Sequence, residues 1–131
     1  MRRVPAPIRV VLLEDNDVFR EALELLFGLR SDVEIVASSA DGTAALELCA
    51  ELSPDVLLLD YRLPGLDGLQ VAKGLRAACP DVALVCLTAS ASDEQLQALR
   101  AAGVAATLTK DEDLETIIGA LQQAAGRVAA A

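Results

Sequence analysis

The sequence predicts an α/β fold in which five parallel strands form one doubly wound sheet with five helices on its two faces. Short apolar runs bounded by Gly, Pro or acidic residues alternate with segments whose apolar residues recur at helical spacing. Five such alternations with short connections are the pattern of successive βαβ units. The 131 residues are 53% hydrophobic, which is enough for one domain with a sizeable core.

The strands are predicted from apolar runs that are too short to be helices. The run from Val56 to Leu59 lies between Pro54 and Asp60 without polar alternation, as in a strand buried on both faces. The breakers Pro64 and Gly65 follow it. The five strands are expected at residues 8–13, 33–38, 56–60, 82–87 and 105–109.

The helices are predicted from apolar periodicity and from end signals. Asn16 or Asp17 is the expected N-cap of the first helix, and Ser92 that of the fourth. Pro80 ends the third helix and Gly103 the fourth. The five helices are expected at residues 18–29, 42–52, 68–79, 93–102 and 114–125.

One domain is expected over residues 8–126, with a flexible arm at 1–7 and a tail at 127–131. The net charge of −9 and the three aromatic residues argue against direct contact with nucleic acid or an anionic membrane. Three cysteines without CxxC spacing, no apolar stretch that could span a bilayer and no apolar signal segment indicate a reduced cytoplasmic protein. The absence of histidine excludes Ser-His-Asp hydrolysis and histidine-based zinc sites.

Five polar residues follow the predicted strands. Glu14 and Asp15 come after the first strand, Asp60 ends the third, Thr88 follows the fourth and Lys110 the fifth. The carboxyl ends of parallel strands share one edge of a sheet, so these groups should converge in one crevice. Three carboxylates held together repel one another and need a cation, and oxygen ligands favour Mg²⁺. Taken alone, Asp60 is equally well explained as a turn residue.

These residues resemble the receiver domain family of two-component response regulators, over nearly the whole chain. The family pattern is an acidic pair, a phosphoacceptor aspartate, a Thr or Ser and a Lys, and Glu14, Asp15, Asp60, Thr88 and Lys110 match it in order. The resemblance implies a flavodoxin-like sheet with strand order 2-1-3-4-5. It is strongest to receivers of regulators that have a helix-turn-helix DNA-binding output.

The resemblance also implies the roles of the site residues. Asp60 would accept a phosphoryl group from a phosphohistidine on a partner sensor histidine kinase. Mg²⁺ would be held by Asp15, Asp60 and the backbone carbonyl of Arg62, with Glu14 acting directly or through water. The Arg62 side chain would flank the path of attacking water and tune the phosphoryl lifetime, or be an ordinary surface cation.

The sequence departs from the family pattern in its switch. Thr88 would turn toward the phosphoryl group, but the Tyr or Phe that usually swings inward three residues before the lysine is Thr107 here. We therefore expect activation to involve a smaller rearrangement, limited to the loop from Ala89 to Asp93 and the fifth strand.

Two other functions fit the same topology. An aspartate-nucleophile hydrolase of the dehalogenase-like phosphatase type places a second Asp two residues after the nucleophile, where this chain has Arg62. A flavodoxin-like carrier needs a phosphate-binding loop after the first strand, where residues 14–17 are acidic or amide. The expected function is therefore a phosphoaccepting signalling domain rather than an enzyme. A homodimer is possible, and DNA would be contacted only through an output domain outside this sequence.

Overall fold

The structure is a computed structural model and describes residues 6–126. Its five strands are parallel and lie in the order β2-β1-β3-β4-β5, which confirms the predicted fold class and strand order. The strands are β1 Ile8–Leu13, β2 Val33–Ser39, β3 Val56–Asp60, β4 Ala83–Thr88 and β5 Ala106–Thr109.

The helices are α1 Asp17–Gly28, α2 Ala45–Leu52, α3 Gly68–Ala78, α4 Asp93–Ala101 and α5 Leu114–Ala124. Their ends lie within one or two residues of the expected ones, except at α2. The predicted helix 42–52 begins instead as a separate 3₁₀ turn, Gly42–Ala44, because the Asp41 side chain caps it by accepting from the backbone N–H of Thr43. None of the helices among the described residues has the length and hydropathy to cross a bilayer.

The predicted division into arm, domain and tail stays a prediction. Residues 1–5 of the expected arm and the whole expected tail, 127–131, lie outside the described residues.

The core lies on both faces of the sheet, and β3 is at its centre. All five side chains of β3 are buried. Leu57 and Leu59 pack with α2, α3 and α4, whereas Val56 and Leu58 pack with α1 and α5. Each fully buried leucine stabilises the fold by about 1.5–3 kcal/mol relative to an exposed one. The strand that ends in Asp60 is therefore held from both sides.

The strand register aligns the carboxyl ends at one edge. Leu13 lies opposite Leu59, and Asp60 lies opposite Leu87. Backbone hydrogen bonds continue the pairing past the strand ends, from Glu14 N to Ser39 O and from Lys110 N to Thr88 O, each 3.0 Å. The residues that follow the strands consequently start from fixed backbone positions along one edge of the sheet.

The loop that follows Asp60 packs on the 3₁₀ turn. The backbone N–H of Gly42 donates to the carbonyl of Pro64 at 3.0 Å. A Cβ at position 42 would overlap the carbonyl oxygen of Leu66, and that neighbour is backbone, which cannot rotate away. Glycine is required at this position so that the β3–α3 loop can approach.

We predict that Gly42→Ala lowers the free energy of unfolding by about 1–3 kcal/mol, because the β3–α3 loop must shift. Urea denaturation followed by circular dichroism measures the change. Gly119→Ala is the matched control: no atom lies within 4 Å of a Cβ there. Because Gly119 is inside α5, alanine should stabilise by about 0.5–1 kcal/mol. Equal effects at the two positions would show that the Gly42 contact is unimportant.

Candidate functional site

The acidic residues expected to converge do so. Glu14, Asp15 and Asp60 each offer a carboxylate oxygen, and these oxygens lie within 4.8 Å of one another. Glu14 and Asp60 are buried, whereas Asp15 is exposed. We call these three residues together with Lys110 the acidic crevice. It opens to solvent on the side of Asp15, so a ligand can reach the buried carboxylates from there.

Lys110 joins the two buried carboxylates. Its Nζ lies 2.6 Å from Glu14 Oε1 and 3.1 Å from Asp60 Oδ2. Glu14 Oε1 is buried and receives no hydrogen bond of standard geometry from the described residues, so its contact with Lys110 is an ion pair. One ammonium group therefore offsets part of the repulsion between Glu14 and Asp60.

Burial and the attraction between opposite charges shift the pKa values of Glu14 and Lys110 in opposite directions. Burial raises the pKa of Glu14, and the interactions with Lys110 and the Asn16 N–H lower it by less. Burial alone would lower the pKa of Lys110, but its interactions with the Glu14 and Asp60 carboxylates outweigh burial and raise that pKa. Lys110 is therefore cationic at neutral pH, and ionised Glu14 is held at a cost to folding.

The first turn of α1 fixes the acidic pair. The Asn16 N–H donates to Glu14 Oε2 at 3.1 Å, and Asn16 Oδ1 accepts from the Phe19 N–H at 2.9 Å as the N-cap. Arg20 Nη1 donates to the carbonyl of Glu14 at 2.7 Å, while its Nη2 contacts Asp17 Oδ1 at 2.7 Å. The same turn places the Phe19 ring centroid 5.0 Å from Lys110 Nζ.

The contributions of Phe19 and Arg20 did not follow from the sequence. Phe19 matched the apolar spacing of α1. Arg20 has acidic neighbours at helical spacing, Asp17 and Glu24, which predict ordinary surface ion pairs rather than a contact with Glu14. Their place in the helix could have indicated these contacts. Both residues lie in the first turn of α1, and helical side chains point toward the helix N-terminus, which here is the end of β1.

Thr88 lies on β4, the strand beside β3, and Thr107 lies on β5, the strand at the edge of the sheet. Thr88 ends β4, is buried and donates its hydroxyl to the carbonyl of Ser90 at 2.9 Å. Thr107 is half-buried in β5 opposite Cys86. The Thr88 hydroxyl therefore bonds to its own loop, and it must exchange that partner to reach a group in the crevice.

Arg62 is placed beside Asp60 by its backbone. The Arg62 N–H donates to Asp60 Oδ1 at 3.3 Å, and its side chain is exposed. Within residues 6–126 the guanidinium makes no hydrogen bond or ion pair. The structure thus brings the Arg62 backbone to the crevice and leaves its side chain free to swing over it.

The donor set suits a hard divalent cation. Its side chains are three carboxylates on a shared opening, with neither histidine nor thiolate. Burial and the charge of Asp60 raise the pKa of the Cys86 thiol to about 12, so this thiol stays neutral. The buried Oε1 of Glu14 lies 2.6 Å from the Lys110 ammonium, and it can turn toward a cation when the ammonium moves.

Comparisons with known proteins agree with this arrangement. The family model for the response regulator receiver domain matches residues 10–122. A transcriptional regulatory protein of Mycobacterium tuberculosis, NarL, is 41% identical over 120 residues, which cover 89% of this chain and 54% of NarL. The solved receiver domain of NarL superimposes with a TM-score of 0.88 at 35% identity, covering 93% of this chain and 98% of that domain. These matches favour the receiver over the aspartate-nucleophile hydrolase and the flavodoxin-like carrier.

The matched relatives are longer proteins. The chain spans about half the length of the curated relatives it matches first, 57% and 54%. A protein-glutamate methylesterase of Myxococcus xanthus is also similar, 42% identical over 103 residues that cover 77% of this chain and 30% of the methylesterase. The similarity therefore concerns one domain that occurs with different neighbours.

We predict that Glu14→Gln makes the metal-free protein more stable at pH 7, because a neutral amide avoids the cost of a buried charge. A carboxyl whose folded pKa is raised loses its stabilising contribution as pH rises through that pKa. The difference in stability between the variant and the parent should therefore narrow as the pH falls toward 4.5, the ordinary pKa of a glutamate carboxyl. Thermal melting in EDTA measures it.

The same variant should lose stabilisation by Mg²⁺. A site that binds only the folded state adds about 2.7 kcal/mol at 100 times its dissociation constant. We expect Mg²⁺ to stabilise Glu14→Gln less than it stabilises the parent at the same Mg²⁺ concentration. Glu51→Gln, on the exposed end of α2, is the control and should match the parent in both buffers. A Mg²⁺-induced shift as large as the parent's would remove Glu14 from the metal site.

Proposed function

The chain belongs to the response regulator receiver domain family, and on that premise we propose that Asp60 is its phosphoacceptor. The phosphoryl donor is a phosphohistidine on a sensor histidine kinase. One observation carries the assignment to this residue. Asp60 ends the central strand, with Lys110 Nζ 3.1 Å from one of its oxygens and the Glu14 and Asp15 carboxylates beside it.

The transfer requires little covalent chemistry from the protein. A carboxylate oxygen of Asp60 attacks phosphorus, the P–N bond of the phosphohistidine breaks, and the imidazole leaves with the bonding electron pair and takes up a proton. The product is an acyl phosphate on Asp60. Hydrolysis follows when water attacks the same phosphorus and the Asp60 carboxylate leaves. Such reactions are accelerated mainly by alignment and by neutralising charge on the phosphoryl oxygens.

The residues of the acidic crevice divide these tasks. Asp60 is fixed in direction by the buried strand behind it and by the Arg62 N–H on Oδ1. Lys110 can transfer its ammonium from Asp60 Oδ2 to a phosphoryl oxygen nearby. Glu14, Asp15, Asp60 and the Arg62 carbonyl would hold Mg²⁺, which when bound neutralises charge on the phosphoryl oxygens. The Arg62 side chain remains a candidate for tuning the phosphoryl lifetime.

Thr88 would report phosphorylation to the rest of the domain. Its hydroxyl leaves Ser90 O and donates to a phosphoryl oxygen, which pulls on the loop from Ala89 to Asp93. That loop leads directly into α4, whose first residue follows the N-cap Ser92. With Thr107 in place of an aromatic residue, the response stays within this loop and β5.

The setting of the domain is also part of the proposal. It acts in the cytoplasm, where its cysteines Cys49, Cys79 and Cys86 stay unpaired. It signals to a DNA-binding output domain or to a protein partner, including a second copy, and performs no catalysis beyond its own phosphorylation and dephosphorylation. The match to the methylesterase covers 30% of that protein, so the activity named there is not transferred.

We predict that the protein gains one phosphoryl group when it is incubated with acetyl phosphate and Mg²⁺. Intact mass spectrometry measures the adduct, which should require the metal. Asp60→Ala should lose it, because the nucleophile is absent. Asp55→Ala is unsuitable as a control because Asp55 Oδ2 accepts from the Arg9 N–H, so Asp81→Ala, exposed and distant from the crevice, serves instead. An adduct that persists in Asp60→Ala would refute the assignment.

We predict that Thr107→Tyr enlarges the response to phosphorylation. Beryllofluoride with Mg²⁺ mimics the phosphoryl group, and hydrogen exchange of backbone amides reports the response. In the parent, altered protection should be confined to the Ala89–Asp93 loop and β5. In the variant it should extend into α4. Identical exchange maps for the two proteins would count against a role for this position.

A further inference from the structure

The Phe19 ring is a third neighbour of the Lys110 ammonium. The ring centroid lies 5.0 Å from Nζ, within the range of a cation–π contact. The other two neighbours, Glu14 Oε1 and Asp60 Oδ2, are charged. Phe19 differs from them because it is neutral and belongs to neither the metal site nor the nucleophile.

The ring has a fixed position. Phe19 is the third residue of α1, and its N–H is the group that the N-cap Asn16 binds. It is half-buried and packs against the core between α1, α5 and the sheet. A hydrophobic role alone would be satisfied by leucine, which would fill much of the same volume without presenting a π face to the ammonium.

The two charged neighbours must release Lys110 during the proposed reaction. Asp60 becomes an acyl phosphate, and Glu14 turns toward a divalent cation. The ammonium is then without either of the partners that now hold it, at the moment when it has to contact a phosphoryl oxygen. A lysine has four rotatable side-chain bonds, so without another contact the ammonium would sample many rotamers and would not stay at the crevice.

We propose that Phe19 is a positioning residue that keeps the Lys110 ammonium at the crevice while it exchanges carboxylate partners for the phosphoryl group. The inference rests on the proposed function of Asp60 and concerns a residue outside the acidic crevice. Its physical basis is the attraction between the ring face and a partly desolvated ammonium, since the Lys110 side chain is only 21% exposed.

The size of the effect follows from the strength of cation–π contacts. Their range in partly buried sites corresponds to roughly a 2- to 30-fold change in rate. We expect Phe19→Leu to slow phosphorylation by acetyl phosphate by a factor in that range. Phe19→Tyr should stay within about 2-fold of the parent, because it keeps the π face.

Phe27→Leu separates positioning from stability. Phe27 is the other phenylalanine of α1, and it is buried in the same core, 1% exposed. Its substitution should lower the melting temperature at least as much as Phe19→Leu does, yet leave the phosphorylation rate near the parent value. If both leucine variants slow the reaction in proportion to their loss of stability, Phe19 is an ordinary core residue and the proposal fails.

A second measurement requires neither metal nor phosphoryl donor. The chain contains no tryptophan, so Phe19→Trp provides a single tryptophan beside Lys110, which can be excited selectively over Tyr61. In metal-free protein, adding Lys110→Met to this variant should shift the emission, because the ammonium has left the ring. Unchanged emission would show that the contact is absent and would overturn the proposal. If the emission shifts but the parent forms no acyl phosphate, the proposed function fails while the contact stands.

Discussion

The whole site depends on one ammonium group between two buried carboxylates. At an effective dielectric constant of 20, two charges 4 Å apart interact by about 4 kcal/mol, so Glu14 and Asp60 cannot share a crevice without compensation. Lys110 provides it through contacts of 2.6 and 3.1 Å. The compensation is incomplete, since burial still raises the pKa of Glu14. The crevice therefore holds buried negative charge that a divalent cation could neutralise, so affinity for a metal would arise from the same burial and repulsion that disfavour the metal-free site.

The fold supplies what this balance needs, which is a rigid meeting point for residues far apart in the chain. Glu14 follows β1 and Lys110 follows β5, and β3 and β4 lie between these two strands in the sheet. The two residues still meet, because all of these strands end at the same edge. The buried leucines of β3 fix the backbone of Asp60, and the hydrogen bonds of Arg20 and Asn16 hold the backbone carbonyl and Oε2 of Glu14. The strand ends fix the backbone, and the long Lys110 side chain retains the freedom to change partners. That division allows one flexible group to serve two states of a rigid site.

The sequence predicted the sheet, its helices and the residues of the acidic crevice because these depend on local signals. An apolar run between breakers defines β3, and the cap residue Ser92 marks the start of α4. Once the strands are parallel, the sheet topology brings their carboxyl ends together. The separate 3₁₀ turn Gly42–Ala44 was not predicted: Asp41 caps it locally, but the β3–α3 loop that packs on it is remote in sequence. The contact between Phe19 and Lys110 was missed for a related reason. Periodicity assigns a residue to a face, whereas a half-buried ring at a helix end has both a core side and a side facing the site.

The threonine pair sets a limit on how strongly the proposed switch can act. Thr88 gives up a hydrogen bond to the neutral carbonyl of Ser90, worth about 0.5–1.5 kcal/mol, for one to a charged phosphoryl oxygen, worth about 1.5–3 kcal/mol. The difference is roughly 1–2 kcal/mol, which shifts a two-state equilibrium by only about 5- to 30-fold. In receivers with an aromatic residue at the position of Thr107, burial of the ring can add to this. Thr107, already half-buried in β5, has little further area to bury. A receiver of this kind can signal effectively only if its two conformations are already close in free energy before phosphorylation, so that a small bias changes which one predominates.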